Sequence, residues 1–373
     1  MTVTCSVQQL QPIVTNRLDP AAGDWSCLAG IIGDRPSQYA KSPSLWNAAF
    51  RAVGLDAIYL PLDVEAHNLA ALVAVLRESR QVAGFNVTVP YKVAVMELLD
   101  DLDPKARQIG AVNTVARTKD GKLVGHNTDG QGFIDMLTRE LPGQAQAFLP
   151  ELNGIKVLLI GSGGAARAVA FYLADAIGAN GHLTIVSRSQ EKAHALASAV
   201  DRIYGNAYGT RENEVASVAP KVDLVVNAST KGQQGVRKVP NHRITCLEPY
   251  SALSPARPAE YPEGSFSSEA AFYATWYRES FAEICSNLRL SGEIVMHVAE
   301  TAAFVDLIYA PLESVTLCQA RWTGHRVLNG KGMNIAQASD AFVNRIMQPY
   351  LATAEEELGS IYQRVFRTMA EVW

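Results

Sequence analysis

The four apolar residues Val157-Leu158-Leu159-Ile160 run directly into Gly161-Ser162-Gly163-Gly164-Ala165-Ala166. An uninterrupted apolar strand is expected where a parallel sheet is covered on both faces. A glycine-rich turn between such a strand and a helix lets backbone amides approach a pyrophosphate, where the helix dipole favours negative charge. Taken alone, the loop is equally a tight structural turn, so its surroundings matter. A helix follows it to about Ala176, then come a strand at Leu183–Val186, a helix over 190–200 and a strand at Val222–Asn227. This β-α-β-α-β order with glycines in the first turn is a Rossmann pattern. It predicts nucleotide contacts from Gly161, Gly163, Gly164 and Ala165.

The end of the second strand of such a unit separates NAD from NADP. An acid there binds a ribose hydroxyl, whereas basic residues receive a 2′-phosphate. Here the segment reads Ser187-Arg188-Ser189-Gln190-Glu191-Lys192. Arg188 holds the diagnostic place and Lys192 lies about one helical turn on, while Glu191 is expected on the helix surface. NADP is therefore favoured over NAD. The competing reading makes Arg188 and Lys192 ordinary solvated charges.

The N-terminal half reads as another α/β unit. Strands are expected at 28–33, 56–62, 84–89, 112–117 and 122–126, and helices at 43–53, 66–79, 91–100 and 130–140. Two dense polar motifs lie at its strand ends: Asn86-Val87-Thr88-Val89-Pro90-Tyr91-Lys92, and Gly110-Ala111-Val112-Asn113-Thr114 with Gly125-His126-Asn127-Thr128-Asp129. Open α/β sheets bind ligands outside strand ends, so Lys92, Asn113 and Asp129 are expected to converge. A lysine and an aspartate near a dinucleotide site suit reversible alcohol oxidation. One group moves the hydroxyl proton, the other holds that group, and a nicotinamide takes the hydride. The bland alternative is a surface lysine beside turn-forming Asn and Asp side chains.

Two domains suit the 373 residues. They are expected at 1–130, completed by C-terminal helices within 334–373 (predicted at 333–348 and 353–371), and at 131–333. An insertion at about 231–300 interrupts the second rhythm; its first half is rich in Pro, Ser and charge, and its second half has helical spacing. Hydrophobic residues at 48% and charged residues at 19% support a sizeable core. A net charge of -4 argues against a nucleic-acid-coating protein. The five cysteines, Cys5, Cys27, Cys246, Cys285 and Cys318, have no paired spacing, which suits a reducing cytoplasm and offers no metal framework. The N-terminus has no signal-peptide pattern, and no apolar run approaches the ~20 residues that cross a bilayer. A cytoplasmic monomer or homodimer is expected, with no membrane partner.

In combination the motifs resemble the shikimate/quinate dehydrogenase family. Asn86–Lys92 is similar to its substrate-strand motif, Gly110–Thr114 and Asn127–Gly130 to its asparagine and aspartate motifs, and Gly161–Ala166 to its glycine loop. Ser187-Arg188-Ser189 resembles its NADP-type Asn-Arg-Thr segment, and Asn227-Ala228-Ser229-Thr230-Lys231-Gly232 its segment beside the nicotinamide. Asp306-Leu307-Ile308-Tyr309-Ala310-Pro311 and Gly330 through Gln337 are similar to its last motifs. The resemblance implies an α/β substrate domain and a Rossmann NADP domain with the active site between them. It also implies a hydroxylated carboxylate as substrate, shikimate by default. Lys92 and Asp129 would be the proton-transfer pair. Ser42, Thr88, Asn113, Tyr309 and Gln337 would bind substrate. Ser187, Arg188, Ser189, Lys192, Ala228, Thr230, Leu307, Gly330 and Met333 would meet the cofactor.

Three departures bear on this. The family's His-Ser-x-Ser-Pro is Tyr39-Ala40-Lys41-Ser42-Pro43 here, which removes one carboxylate-binding hydroxyl, and Trp46 replaces a usual His or Tyr. The insertion and an extended N-terminus are the other two. Quinate, an aminoshikimate or another cyclitol-like compound is therefore the rival substrate. A non-catalytic sensor is the rival of another class, though such relatives tend to lose the lysine–aspartate pair or the glycine loop.

Overall fold

The computed structural model describes residues 7–19, 25–141, 144–351 and 357–373. The chain divides into two compact units, one comprising the chain through Ala147 together with Met333–Trp373, the other Phe148–Gly332.

In the first unit the described strands are β1 (Cys27–Gly33), β2 (Ala57–Asp63), β3 (Val82–Val87), β4 (Asp101–Leu102), β5 (Thr114–Arg117) and β6 (Leu123–His126). They form one sheet in the order β2-β1-β3-β5-β6-β4. β1 is parallel to β2 and β3, whereas β5 runs antiparallel to both β3 and β6. Every residue of β1 and β3 is buried, consistent with central strands covered on both faces. One face packs on the helix Ser42–Ala52 and on C-terminal residues such as Phe342, Ile346, Val365 and Met369. The other packs on the helix Leu69–Glu78 and on Leu10 and Val14.

The first unit continues past residue 130 because the helix Asp129–Thr138 lies against the returning C-terminal segment. A Cβ built on Gly132 would come within 2.7 Å of the Gln337 backbone nitrogen. The C-terminal segment is a helix Lys331–Asp340, a π-helical stretch Ala341–Ile346, and helices Gln348–Leu351 and Leu358–Glu371. Residues 353–356 of the expected last helix lie outside the described residues.

The expected helix over 91–100 is not formed. Only a 3-10 turn, Ala94–Leu98, occurs there. The Lys92 carbonyl accepts the Val112 amide at 2.7 Å, while Met96 N turns to Val93 O. A tertiary hydrogen bond thus takes the acceptor that an α-helix would need.

The second unit contains β7 (Lys156–Ile160), β8 (His182–Ser187), β9 (Ala207–Arg211), β10 (Leu224–Asn227), β14 (Ala303–Asp306) and β15 (Arg326–Leu328), a parallel sheet ordered β15-β14-β10-β7-β8-β9. Helices Gly164–Ile177 and Gln190–Tyr204 make its first two crossovers. Between β10 and β14 a small antiparallel sheet of β11 (Val236–Val239), β12 (Arg243–Cys246) and β13 (Tyr261–Pro262) precedes one long helix, Glu269–Val295. This region has its own apolar cluster of Leu247, Tyr250, Phe272, Trp276 and Ile284. The sheet was not expected, since Val236-Arg237-Lys238-Val239 lacks strict apolar alternation. Its edge strand β11 alternates exposed and half-buried residues, and Thr245 of β12 accepts from Trp276 Nε1 of the long helix at 3.2 Å.

Candidate active site

Strand direction gathers the polar groups of the first unit. Lys92 lies beyond the C-terminal end of β3, and Asp129 beyond that of β6. Asn113 precedes β5 rather than following a strand, but β5 is antiparallel to both neighbours, so its start lies at the same edge. Lys92 Nζ donates to Asp129 Oδ2 at 2.6 Å. Asn113 Nδ2 donates to Asp129 Oδ1 at 2.8 Å, and Asn113 Oδ1 accepts the Thr128 amide at 2.8 Å. Asp129 occupies the first turn of its helix, where the dipole favours an anion, and its amide is taken by Asn127 Oδ1 at 3.1 Å. Its side chain is 9% exposed and that of Lys92 is 20% exposed, so the lysine is the member of the pair open to a ligand.

The set extends inward. Asn113 Oδ1 accepts from Thr114 Oγ1 at 3.1 Å, and Thr114 Oγ1 accepts from Asn86 Nδ2 at 3.0 Å. Asn86 Oδ1 accepts from the Tyr59 hydroxyl at 2.7 Å, and Tyr59 also meets the Ser42 side chain. Burial pushes the Tyr59 phenol well above its usual range, so it remains a neutral hydrogen-bonding group. Trp46 stacks on it, with ring centroids 4.7 Å apart. Gln337 Oε1 lies 3.3 Å from both Asn113 Nδ2 and Thr128 Oγ1. Ser42, Asn113, Gln337, Lys92 and Asp129 therefore belong to one hydrogen-bonded set.

Thr88 is fixed by its amide to Ile32 O at 2.9 Å and meets the Tyr39 hydroxyl. That hydroxyl donates to Asp34 Oδ1 at 3.1 Å, and burial, then the Asp34 charge, raises its pKa. Ala40 is half-buried against the apolar cluster of the C-terminal helices. Tyr59 lies outside the motifs read from the sequence, whereas Asn86, Thr114 and Thr128 stood in them without an assigned role. The sequence clue was polar side chains in a strand that is otherwise apolar, as at Asn86 and Thr114.

In the second unit a cavity of about 550 Å³ follows the ends of β7, β8 and β10. Gly161, Gly163, Ser187, Arg188, Ser189, Lys192, Ala228 and Thr230 line it. Gly161 has φ +130°, and a Cβ there would lie 2.7 Å from Ala228 O, so the loop requires glycine. Gly163 caps the helix that opens with Gly164 and Ala165, and a Cβ on it would meet nothing within 4 Å, leaving room for a ligand beside the free amides. Gly164 and Ala165 are in the helix turn behind the cavity and do not line it. Ser162 and Ser187 share a 2.8 Å hydrogen bond that ties the glycine loop to β8. Arg188 and Lys192 are exposed at the cavity, and the Glu191 carboxylate accepts from Ser189 Oγ at 2.8 Å. These groups fit a dinucleotide with a 2′-phosphate.

Asn227 Nδ2 donates to both carboxylate oxygens of Asp306 at 3.0 Å, bracing β10 against β14 beside the loop. Leu307, Tyr309 and Gly330 lie just beyond, with Gly330 N donating to Ile308 O at 3.0 Å; none of the three lines the cavity. Met333 is buried at the start of the segment that returns to the first unit. Lys231, unremarked by sequence reasoning except as part of a motif, is buried, and its Nζ donates to Glu212 Oε1 at 2.5 Å.

Residues 31–115 match the shikimate dehydrogenase substrate-binding domain, and residues 143–244 match the shikimate/quinate 5-dehydrogenase domain. A shikimate dehydrogenase (NADP(+)) from Geobacter metallireducens is 34% identical over 316 residues, 84% of this chain and 88% of that protein. This chain belongs to the shikimate/quinate dehydrogenase family. Among solved structures of the family, a shikimate dehydrogenase in complex with NADP+ aligns at 26% identity with a TM-score of 0.63, covering 92% of this chain and 96% of that one. The quinate dehydrogenase from Corynebacterium glutamicum in complex with NAD aligns at 25% identity with a TM-score of 0.61, covering 91% and 98%. The α/β substrate domain and Rossmann domain expected from the sequence are those of the family. Among the described residues no helix is long and apolar enough to cross a membrane.

Proposed function

We propose that this protein is an NADP-dependent dehydrogenase that interconverts a ring ketone and an alcohol on a hydroxylated cyclohexene or cyclohexane carboxylate, with 3-dehydroshikimate and shikimate as the preferred pair. The observation that carries this reading is the Lys92–Asp129 contact, set at one end of a hydrogen-bonded series that reaches Ser42. Held along the glycine loop and Arg188, the nicotinamide cofactor would supply the hydride acceptor for the carbinol carbon in oxidation and the hydride donor in reduction. Lys92 Nζ takes or gives the proton at the reacting oxygen, within the contribution expected of a positioned acid–base group. Asp129 holds Lys92 and offers an oxygen to a neighbouring ring hydroxyl. Asn113 and Gln337 position ring hydroxyls, and Ser42 and Thr88 bind towards the carboxylate. Tyr309, Leu307, Gly330 and Met333 serve the substrate and nicotinamide ends in this reading.

Ala40 keeps the sister reading in view, because a family hydroxyl is missing there. Tyr39 already donates to Asp34, so in the shikimate reading Lys41 is the neighbouring side chain left to replace that donor. The retained pair and nucleotide cavity argue against a non-catalytic sensor. The four described cysteines are all free, which supports a cytoplasmic setting.

The test is a steady-state assay of NADP+ and NAD+ reduction with shikimate, quinate and their amino and deoxy analogues. Fastest turnover of shikimate with NADP+ is expected. A protein that binds NADP+ yet oxidises neither shikimate nor quinate at high concentration would refute the substrate assignment.

A further inference from the structure

The second unit holds a further cavity, of about 590 Å³, beside the nucleotide cavity; the two share Arg188, Glu212, Thr230, Leu247 and Ala256. The rest of its wall comes from the insertion, including residues 255–258 and Glu260, which lie beyond the family match ending at residue 244. Charge pairing around this cavity is unequal. Glu212 is held by Lys231 at 2.5 Å, Glu260 lies 3.5 Å from Arg243, and Lys238 is paired with Glu263. Both carboxylates of the wall are therefore satisfied. Among the described residues Arg188, Arg237 and Arg257 have no carboxylate partner. Arg237 donates to the neutral side chain of Gln233. It is half-buried, and burial together with the nearby Arg188 charge disfavours its protonated form.

The segment that carries Arg257 is anchored. Asn287, on the long helix, accepts the Ser251 amide at 2.8 Å and donates to the Ser254 and Pro255 carbonyls at 3.1 and 3.0 Å. Lys231 Nζ donates to the Ala252 and Ser254 carbonyls at 2.9 and 2.7 Å. Three uncompensated guanidinium groups on fixed walls, opening onto a nucleotide cavity, suit a phosphate dianion, which guanidinium recognises in bidentate fashion.

We propose that the insertion completes the phosphate end of the nucleotide site: Arg237 and Arg257 act with Arg188 on the 2′-phosphate of NADP. This rests on the NADP reading above. The 2′-phosphate is then held from the β8 side by Arg188 and from the insertion side by Arg237 and Arg257, and the insertion is a determinant of cofactor choice.

The test is equilibrium binding by calorimetry on the full chain, using NADP+, NAD+, 2′,5′-ADP, 5′-AMP and pyrophosphate. Arg257→Ala is the primary variant because Arg257 is exposed and its loss leaves no carboxylate unpaired. Arg237→Gln is the second. Each should raise the Kd of NADP+ and of 2′,5′-ADP by roughly tenfold or more, as loss of a charge-assisted phosphate contact does, with NAD+ and 5′-AMP nearly unchanged. Unchanged NADP+ binding in folded Arg257→Ala, or equal weakening of NADP+ and NAD+, would overturn the proposal. So would Arg257-dependent binding of pyrophosphate to NADP+-saturated protein, which would mark a separate anion site. A wild-type protein that prefers NAD+ refutes the underlying cofactor reading instead, so the two failures are distinct.

Discussion

Replacing Lys92 by alanine removes the cation that touches Asp129. The contact is 2.6 Å, and the lysine is the solvent-facing member of the pair. A positioned acid–base group contributes about 10²–10⁴-fold, so kcat should fall by that factor, equivalent to roughly 2.7–5.5 kcal/mol in the barrier. Asp129 keeps the Asn113 donor at 2.8 Å, and its amide keeps Asn127, so the remaining side chains should hold their places. Stability should fall by only about 1–3 kcal/mol, below the 3–5 typical of a fully buried broken pair, because Lys92 is partly solvated. NADP+ affinity should not change, since every residue lining the nucleotide cavity belongs to the second unit. The assay is initial-rate NADPH formation from shikimate, with calorimetric NADP+ binding and urea denaturation in parallel. Adding Asp129→Asn to Lys92→Ala should cost little more than the first change, because the two act as a unit. Turnover within about threefold of wild type would remove Lys92 from the proton-transfer step, and fully additive losses in the double variant would refute the pair acting as a unit.

Three further outcomes are expected. Arg188→Ala should weaken NADP+ by roughly 10–100-fold and NAD+ hardly at all, and equal weakening measured by calorimetry would refute its role at the 2′-phosphate. Gly132→Ala would place a Cβ 2.7 Å from the Gln337 nitrogen; about 1–3 kcal/mol of stability should be lost and the KM for shikimate should rise with NADP+ binding intact, whereas an unchanged melt and KM would deny that close approach. Burial raises Asp306 to about 6. Between its ordinary ~3.9 and that value the folded protein holds a proton that the unfolded chain has released. Its contribution to stability is therefore complete below pH ~4 and is lost as pH rises through ~6, amounting to about 3 kcal/mol at most. Denaturation of wild type and Asp306→Asn across that window should show the stability difference shrinking with rising pH, and a constant difference would contradict the assignment.

What the sequence alone determined was local and chemical. The apolar run into the glycine loop specified a strand, a turn and a nucleotide-facing helix, because parallel-sheet burial and phosphate approach leave few alternatives there. The placement of Arg188 and Lys192 at the cavity beyond β8 was legible from their offset after that strand, and the convergence of Lys92, Asn113 and Asp129 from the density of polar residues at strand ends. Other features existed only in three dimensions. The turn at Lys92 depends on a Val112 amide distant in sequence, which overrides local helical spacing. Tyr59 joins the site only because β2 and β3 flank β1, placing its hydroxyl against Asn86. The start of β5 reaches the active edge only because that strand is antiparallel, a choice of direction that no local pattern encodes. The arginines of the insertion that lack a carboxylate partner among the described residues emerge in the same way. Whether a charge is compensated depends on which carboxylates the fold brings to it, and pairings such as Glu212 with Lys231 join residues whose spacing carries no signal.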